Sequence, residues 1–188
     1  MGRSKLIRLL VTALMAAAGL LLYFLEIPMF AGSLSFLQFN FSNIPAVVTG
    51  VVCGPLYGLA VELIKNLLQF LIKGLSTQGG IGNIMDFLVG SSFTVAFSVL
   101  YRKTESTELV LRVLLTSLGG LGAMVLVGAI GNYLFVPIYF QVFIGAKLEQ
   151  EFLFSYVGAA TILNVTKGVM LSIVAHLIPI KQLSRLVR

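Results

Sequence analysis

Tryptophan is absent from this chain of 188 residues, cysteine and histidine occur once each, and charged residues make up only 11%. Each shortage excludes something. Cys53 cannot close an internal disulfide, and with no His or Cys cluster around it there is no set of metal ligands, so it is assigned a small-residue packing role. With His176 as the single imidazole, general acid–base chemistry has few participants. No Walker A loop, no Ser/His/Asp or Cys/His set and no dense carboxylate pair is written in the chain, so the sequence points to binding and transport and not to an enzyme. The shortage of charge is the most informative. A soluble domain needs a polar shell that 58% hydrophobic residues and a mean hydropathy of +1.01 do not supply, so lipid is the solvent for most of the surface.

What is present is a series of apolar runs bounded by turn signals. They divide the chain into one all-α transmembrane domain, residues 1–188, with six spans at about 6–25, 44–57, 59–74, 83–100, 112–135 and 153–178. The first run follows Arg3, Lys5 and Arg8 as a signal peptide would, but its 20 or so residues match a ~30 Å hydrocarbon core and predict a retained span. The second is short, and Gly54-Pro55 with Gly58 turns it tightly into the third. The formal charge of +6 is scattered and accompanied by no nucleic-acid motif, so it serves to assign orientation. Arg3, Lys5 and Arg8, then Arg102, Lys103 and Arg112, then Lys181, Arg185 and Arg188 fall on one side, which the positive-inside rule makes the cytoplasm, with both termini there.

The connections expected outside are 26–43, 75–82 and 136–152. The first has no Lys or Arg and is apolar, reading SLSFLQFNF from Ser33 to Phe41. Its alternation suits an extended ribbon with Phe36, Gln38 and Asn40 on one side and Leu37, Phe39 and Phe41 on the other. Such a ribbon is either a lid over a cavity or an interfacial plug of the bundle.

Polar groups within the spans are functional candidates. In the sixth, Asn164 and Lys167 share a helical face, and Lys167 lies too deep to snorkel; it faces a polar cavity or pairs with Asp86 or Glu62. Asn132, toward the outer end of the fifth span, either converges with them under the ribbon or makes an interhelical hydrogen bond. An amide suits a cyclic imide edge and an ammonium a carbonyl or hydroxyl. In the third, Glu62, Lys65, Asn66 and Gln69 form a stripe that reads as a structural ion pair or a partner contact. In the first, Ala13 and Ala17 in ALMAAAG make a shallow groove for another helix.

The run LQFNFSNIPAVVTGVVCGPLYGLAVELIKNLL resembles the riboflavin-specific substrate-binding (S) components of energy-coupling factor (ECF) transporters, a resemblance that covers essentially the whole chain. Asn40 and Asn43 stand where that family usually or often has acids. The resemblance implies high-affinity riboflavin uptake across the cell membrane, energised by a membrane coupling subunit and two cytoplasmic ATPases, with riboflavin as transported ligand and no cofactor. It also implies that Asn132, Asn164 and Lys167 contact the flavin, that the outer loop around Gln38, Phe39, Asn40 and Phe41 caps it, and that Ala13 and Ala17 pack on the coupling subunit. The alternatives are an S component for another vitamin, such as biotin, whose carboxylate Lys167 would meet, and a structural or channel-forming membrane protein. A thiamine site is disfavoured by the missing Trp.

Overall fold

A computed structural model describes residues 2–35, 37–74, 80–180 and 182–183. The expectations placed on Phe36, on residues 75–79 of the second outer connection and on Lys181, Arg185 and Arg188 lie outside the described residues.

Among the described residues the fold is all-α apart from one small hairpin. Helix α1 spans Arg3–Tyr23, α2 Ile44–Val52, α3 Pro55–Lys73, α4 Ile81–Lys103, α5 Leu109–Tyr139 and α6 Gln150–Leu177. Five of the six are long and apolar enough to cross a membrane. The exception is α2, whose nine residues rise only ~14 Å. The expected span 44–57 is therefore corrected: it breaks at Cys53 and Gly54, and residues 55–57 belong to α3. Sequence chemistry explains the break. Gly54 has φ 131°, a conformation L side chains rarely adopt, and Pro55 starts the next helix where its missing N–H would have no partner anyway. At the other end α5 runs past the expected limit of 135, through Pro137 and into a π turn at Phe140–Ile144.

The first outer connection is not a single extended ribbon. Strand β1, Ile27–Pro28, pairs antiparallel with β2, Gln38–Phe39, in the register Ile27↔Phe39 and Pro28↔Gln38. One 3-10 turn at Gly32–Leu34 lies between them. Leu37 seats this hairpin: it is buried against Ala159, Ala160 and Leu163 of α6, with Met29, Phe30, Leu34 and Phe39 closing around it. After β2 the chain turns sharply, because Asn40 Oδ1 accepts from the backbone N–H of Ser42 at 3.3 Å and from its hydroxyl at 2.8 Å.

Helix α4 is central. Its Met85, Val89, Phe93 and Phe97 join Val47 and Val51 of α2, Met124 of α5 and Leu171 and Ala175 of α6 in one core. Between lipid-solvated helices the attraction comes from close packing, so small residues mark the contacts. At Gly58 an added Cβ would stand 2.7 Å from the Ala46 carbonyl oxygen, 2.7 Å from Thr94 Cγ2 and 2.8 Å from Gly50 Cα, so α2, α3 and α4 meet there with no room for a side chain.

The two ends differ in chemistry. At one, Arg102 donates to the Val51 carbonyl at 3.5 Å, and Arg112 lies 3.9 Å over the Tyr101 ring and donates to the Tyr101 carbonyl at 3.1 Å. His176 is held nearby, one ring nitrogen 2.7 Å from the Ser172 carbonyl and the other 3.1 Å from the Thr116 hydroxyl. The hairpin is at the opposite end, beside the last turn of α1 and the first turns of α4.

Gly58→Val is expected to destabilise the fold by about 1–3 kcal/mol through overpacking. Gly122→Ala, where an added Cβ meets nothing within 4 Å, should leave the protein as stable as before or slightly more so. Thermal unfolding of both variants in detergent checks the contrast; equal midpoints would mean that the three helices do not meet at Gly58.

Candidate functional site

Beneath the hairpin lies a cavity of about 280 Å³, near the lower end of the ~300–1,000 Å³ typical of small-molecule sites. Its walls come from separate segments. Helix α6 presents Tyr156, Ala160, Leu163, Asn164 and Lys167, a spacing that puts all five on one helical face. Helix α4 supplies Asn83, Met85, Asp86 and Val89, α5 supplies Asn132, and the hairpin closes the space with Leu37, Gln38 and Asn40. The lining thus combines apolar surface with a few amides and charges, suited to a flat, largely apolar ligand with a polar edge.

Glycines on α5 bring the amides together. A Cβ at Gly128 would run into the Asn164 amide nitrogen, so the missing side chain lets α6 place Asn164 against α5. One turn on, Asn132 donates from Nδ2 to the Gly128 carbonyl at 2.8 Å, within its own helix and not across to another. Its side chain is thereby oriented while it still lines the cavity.

Lys167 both lines the cavity and pairs. Its Nζ is 3.5 Å from Asp86 Oδ1, a looser contact than the 2.8 Å between Lys65 Nζ and Asp86 Oδ2. Behind the wall, Lys65 also lies 2.8 Å from Glu62 Oε2, both side chains being fully buried. Asn43 Nδ2 donates to Glu62 Oε1 at 3.0 Å, and Asn66 Nδ2 donates to the Glu62 carbonyl at 2.9 Å. Two carboxylates and two ammonium groups thus neutralise one another, as low-dielectric surroundings require.

A second polar group forms the rim. Lys73, in the last turn of α3, pairs with Glu26 at 2.9 Å and donates to the Tyr23 hydroxyl at 3.1 Å. With its amide nitrogen toward Glu26, Gln38 donates to both carboxylate oxygens at 2.9 and 2.6 Å. The rim therefore ties the hairpin to the ends of α1 and α3.

Of the residues singled out in the sequence, Gln38, Asn40, Asn132, Asn164 and Lys167 line this one cavity. Phe39 and Phe41 do not; their rings contact each other edge to face at 5.3 Å beside it. Asn43 is buried on Glu62, away from the cavity. Ala13 and Ala17 are exposed on the outer face of α1, while Thr12, Ala16 and Gly19 face the protein's own bundle. Sequence reasoning missed Tyr23, Glu26, Lys73, Asn83 and Tyr156, and named Asp86 only as a partner of Lys167. For Asp86 a signal was available, since it is the only acid between residues 83 and 100 and so a candidate in its own right.

Comparison with known proteins gives a uniform result. The model of the ECF transporter substrate-specific component matches residues 7–179. "Riboflavin transporter FmnP" of Bacillus subtilis (strain 168) is 32% identical over 180 residues, 94% of this chain and 92% of that protein. "Riboflavin transporter RibU" of Staphylococcus aureus (strain TCH60) is 28% identical over 167 residues, 89% of this chain and 85% of that protein. Among solved structures, the S component of a bacterial ECF transporter superposes with a TM-score of 0.71 at 24% identity, covering 98% of this chain and 99% of that one. ThiT from Listeria monocytogenes gives 0.62 at 24% identity, with 96% and 98% covered. The structural likenesses speak for the fold; the sequence match over nearly the whole length decides the family. This multi-pass membrane chain belongs to the substrate-specific components of ECF transporters.

Proposed function

We propose that the protein captures riboflavin in the cavity beneath the hairpin and delivers it across the cell membrane with an ECF coupling subunit and two ATPase subunits. The observation that carries this reading is the convergence of Asn132, Asn164 and Lys167 with Gln38 and Asn40 on one cavity. The names of the two relatives point to the same ligand. An isoalloxazine has a broad apolar face and an imide edge, and the placed amides match that edge in donors and acceptors. The net neutrality of the paired charges around the cavity suits a ligand without formal charge.

Orientation follows from charge. The cavity and hairpin occupy one end of the bundle and Arg102 and Arg112 the other, so the basic end is taken as cytoplasmic, with both termini there, and the cavity opens outside. Exposed Ala13 and Ala17 leave a shallow groove on α1 for the coupling subunit.

The buried amides explain how Asn replaces an acid at two positions. Asn40 Oδ1 acts only as an acceptor toward Ser42, a role a carboxylate fills equally well. Asn43 is a donor to Glu62, and a carboxylate there would set two anions against each other.

The purified protein is expected to carry flavin absorbance or to bind riboflavin saturably; a folded preparation that does neither would falsify the assignment. Asn164→Ala, which leaves the buried charges balanced, should weaken binding by about tenfold, the worth of a neutral hydrogen bond in the site, as read by fluorescence titration. Asn43→Asp, which sets a carboxylate against Glu62, should lower stability by about 1–3 kcal/mol and by more than Asn40→Asp, whose carboxylate keeps the Ser42 hydrogen bonds and faces the cavity, in thermal melts of the ligand-free protein. Ala17→Leu should leave riboflavin affinity unchanged and abolish uptake in cells that also hold the coupling module; normal uptake would remove α1 from the interface.

A further inference from the structure

The groups that line the cavity stand on separate segments, and one side chain outside the cavity links two of them, Asp86 on α4 directly and Asn40 at the end of the hairpin through Ser42. Lys65 is fully buried on α3 and does not line the cavity. An ammonium has three protons, and three acceptors surround this one: Glu62 Oε2 at 2.8 Å, Asp86 Oδ2 at 2.8 Å and Ser42 Oγ at 3.1 Å. Each contact leads onward. Ser42 donates to Asn40 Oδ1 at 2.8 Å, at the end of the hairpin. The other oxygen of Asp86 faces Lys167 at 3.5 Å. The stem of Lys65 is itself confined, since a Cβ on Gly19 of α1 would stand 3.2 Å from its Cδ.

We infer that Lys65 is a positioning residue for the ligand site, aligning the Asp86–Lys167 wall and the Asn40 end of the hairpin from behind. This rests on the riboflavin reading. By occupying one oxygen of Asp86 at close range, Lys65 keeps that carboxylate from closing fully on Lys167, whose ammonium stays directed at the cavity. By donating to Ser42, it holds the turn that sets Asn40 in the cavity wall.

Charge balance supplies the test. Lys65→Met alone would leave Glu62 and Asp86 with a single cation and is expected to misfold. Lys65→Met with Glu62→Gln removes one unit of each sign and leaves Asp86 and Lys167 balanced; exchange of a whole buried pair is often near neutral for stability. The double variant is expected to melt, without ligand, within a few degrees of wild type, yet to bind riboflavin about tenfold more weakly through a faster off-rate. The absorption band of its bound flavin should also shift, because Lys167 draws in toward Asp86. A purely structural pair would move the melting point and leave the off-rate and the band unchanged. Ser42→Ala cuts only the arm to the hairpin; it should raise the off-rate several-fold in the wild type and add nothing in the double variant. Wild-type off-rate and spectrum in a folded double variant overturn the inference, and if that variant does not fold, an unchanged off-rate in Ser42→Ala does so. Absence of riboflavin binding by the wild type would remove the functional reading itself, and this inference with it.

Discussion

The interaction on which the rest of the structure depends is the mutual neutralisation of Glu62, Lys65, Asp86 and Lys167. Lipid cannot solvate a single charge without a large penalty, so each must find its counter-ion inside the bundle. Two of the four stand on α3, one on α4 and one on α6, and contacts of 2.8, 2.8 and 3.5 Å require those helices to meet at one depth. Breaking one member of such a set typically costs ~3–5 kcal/mol, which is large against the marginal stability of a domain. Small residues make the approach feasible. At Gly90 an added Cβ would meet the Asn43 amide and stand 2.9 Å from Glu62 Oε2, so α4 comes close enough only because that side chain is missing.

From this constraint the site follows. Asp86, turned toward both lysines, and Lys167 stand in the cavity wall, so the charge set fixes the facing positions of α4 and α6 on which the site is built. The hairpin covers it by two different means. Leu37 anchors it by apolar burial on α6, while Gln38 anchors it by polar contact with Glu26 at the rim. The Glu26–Lys73 pair beneath that contact is itself mostly buried, its side chains 20% and 27% exposed.

Much of this was legible in the chain. Six helices, the Gly54-Pro55 turn, the depth of Lys167 and its shared face with Asn164 all follow from local pattern, because lipid rewards apolar length and punishes misplaced charge. Where the local pattern misled, a tertiary contact was the cause. The alternation of the outer connection suggested a ribbon, but pairing of Ile27 with Phe39 folds it back into a hairpin, and the turn at Asn40 ends the alternation before Phe41. Phe39 and Phe41 therefore pack on each other and not into the cavity. Glu26 and Lys73 are separated by 47 residues and sit at helix ends, where a charge ordinarily needs no explanation. Only the fold brings them to one rim.

The sequence by itself determined the solvent, the number of helices and the polar residues that the membrane would force inward. It also determined the family, since the family model matches residues 7–179. The tertiary structure decided which of those polar residues share a cavity and which serve behind it. Asn40 faces the cavity while Asn43, three positions on, is spent on Glu62, and Lys167 lines the wall while Lys65 holds it from behind. The physical reason is that burial inside a membrane obliges a charge to find a partner, but does not say which one; that choice belongs to the packing of helices distant in sequence.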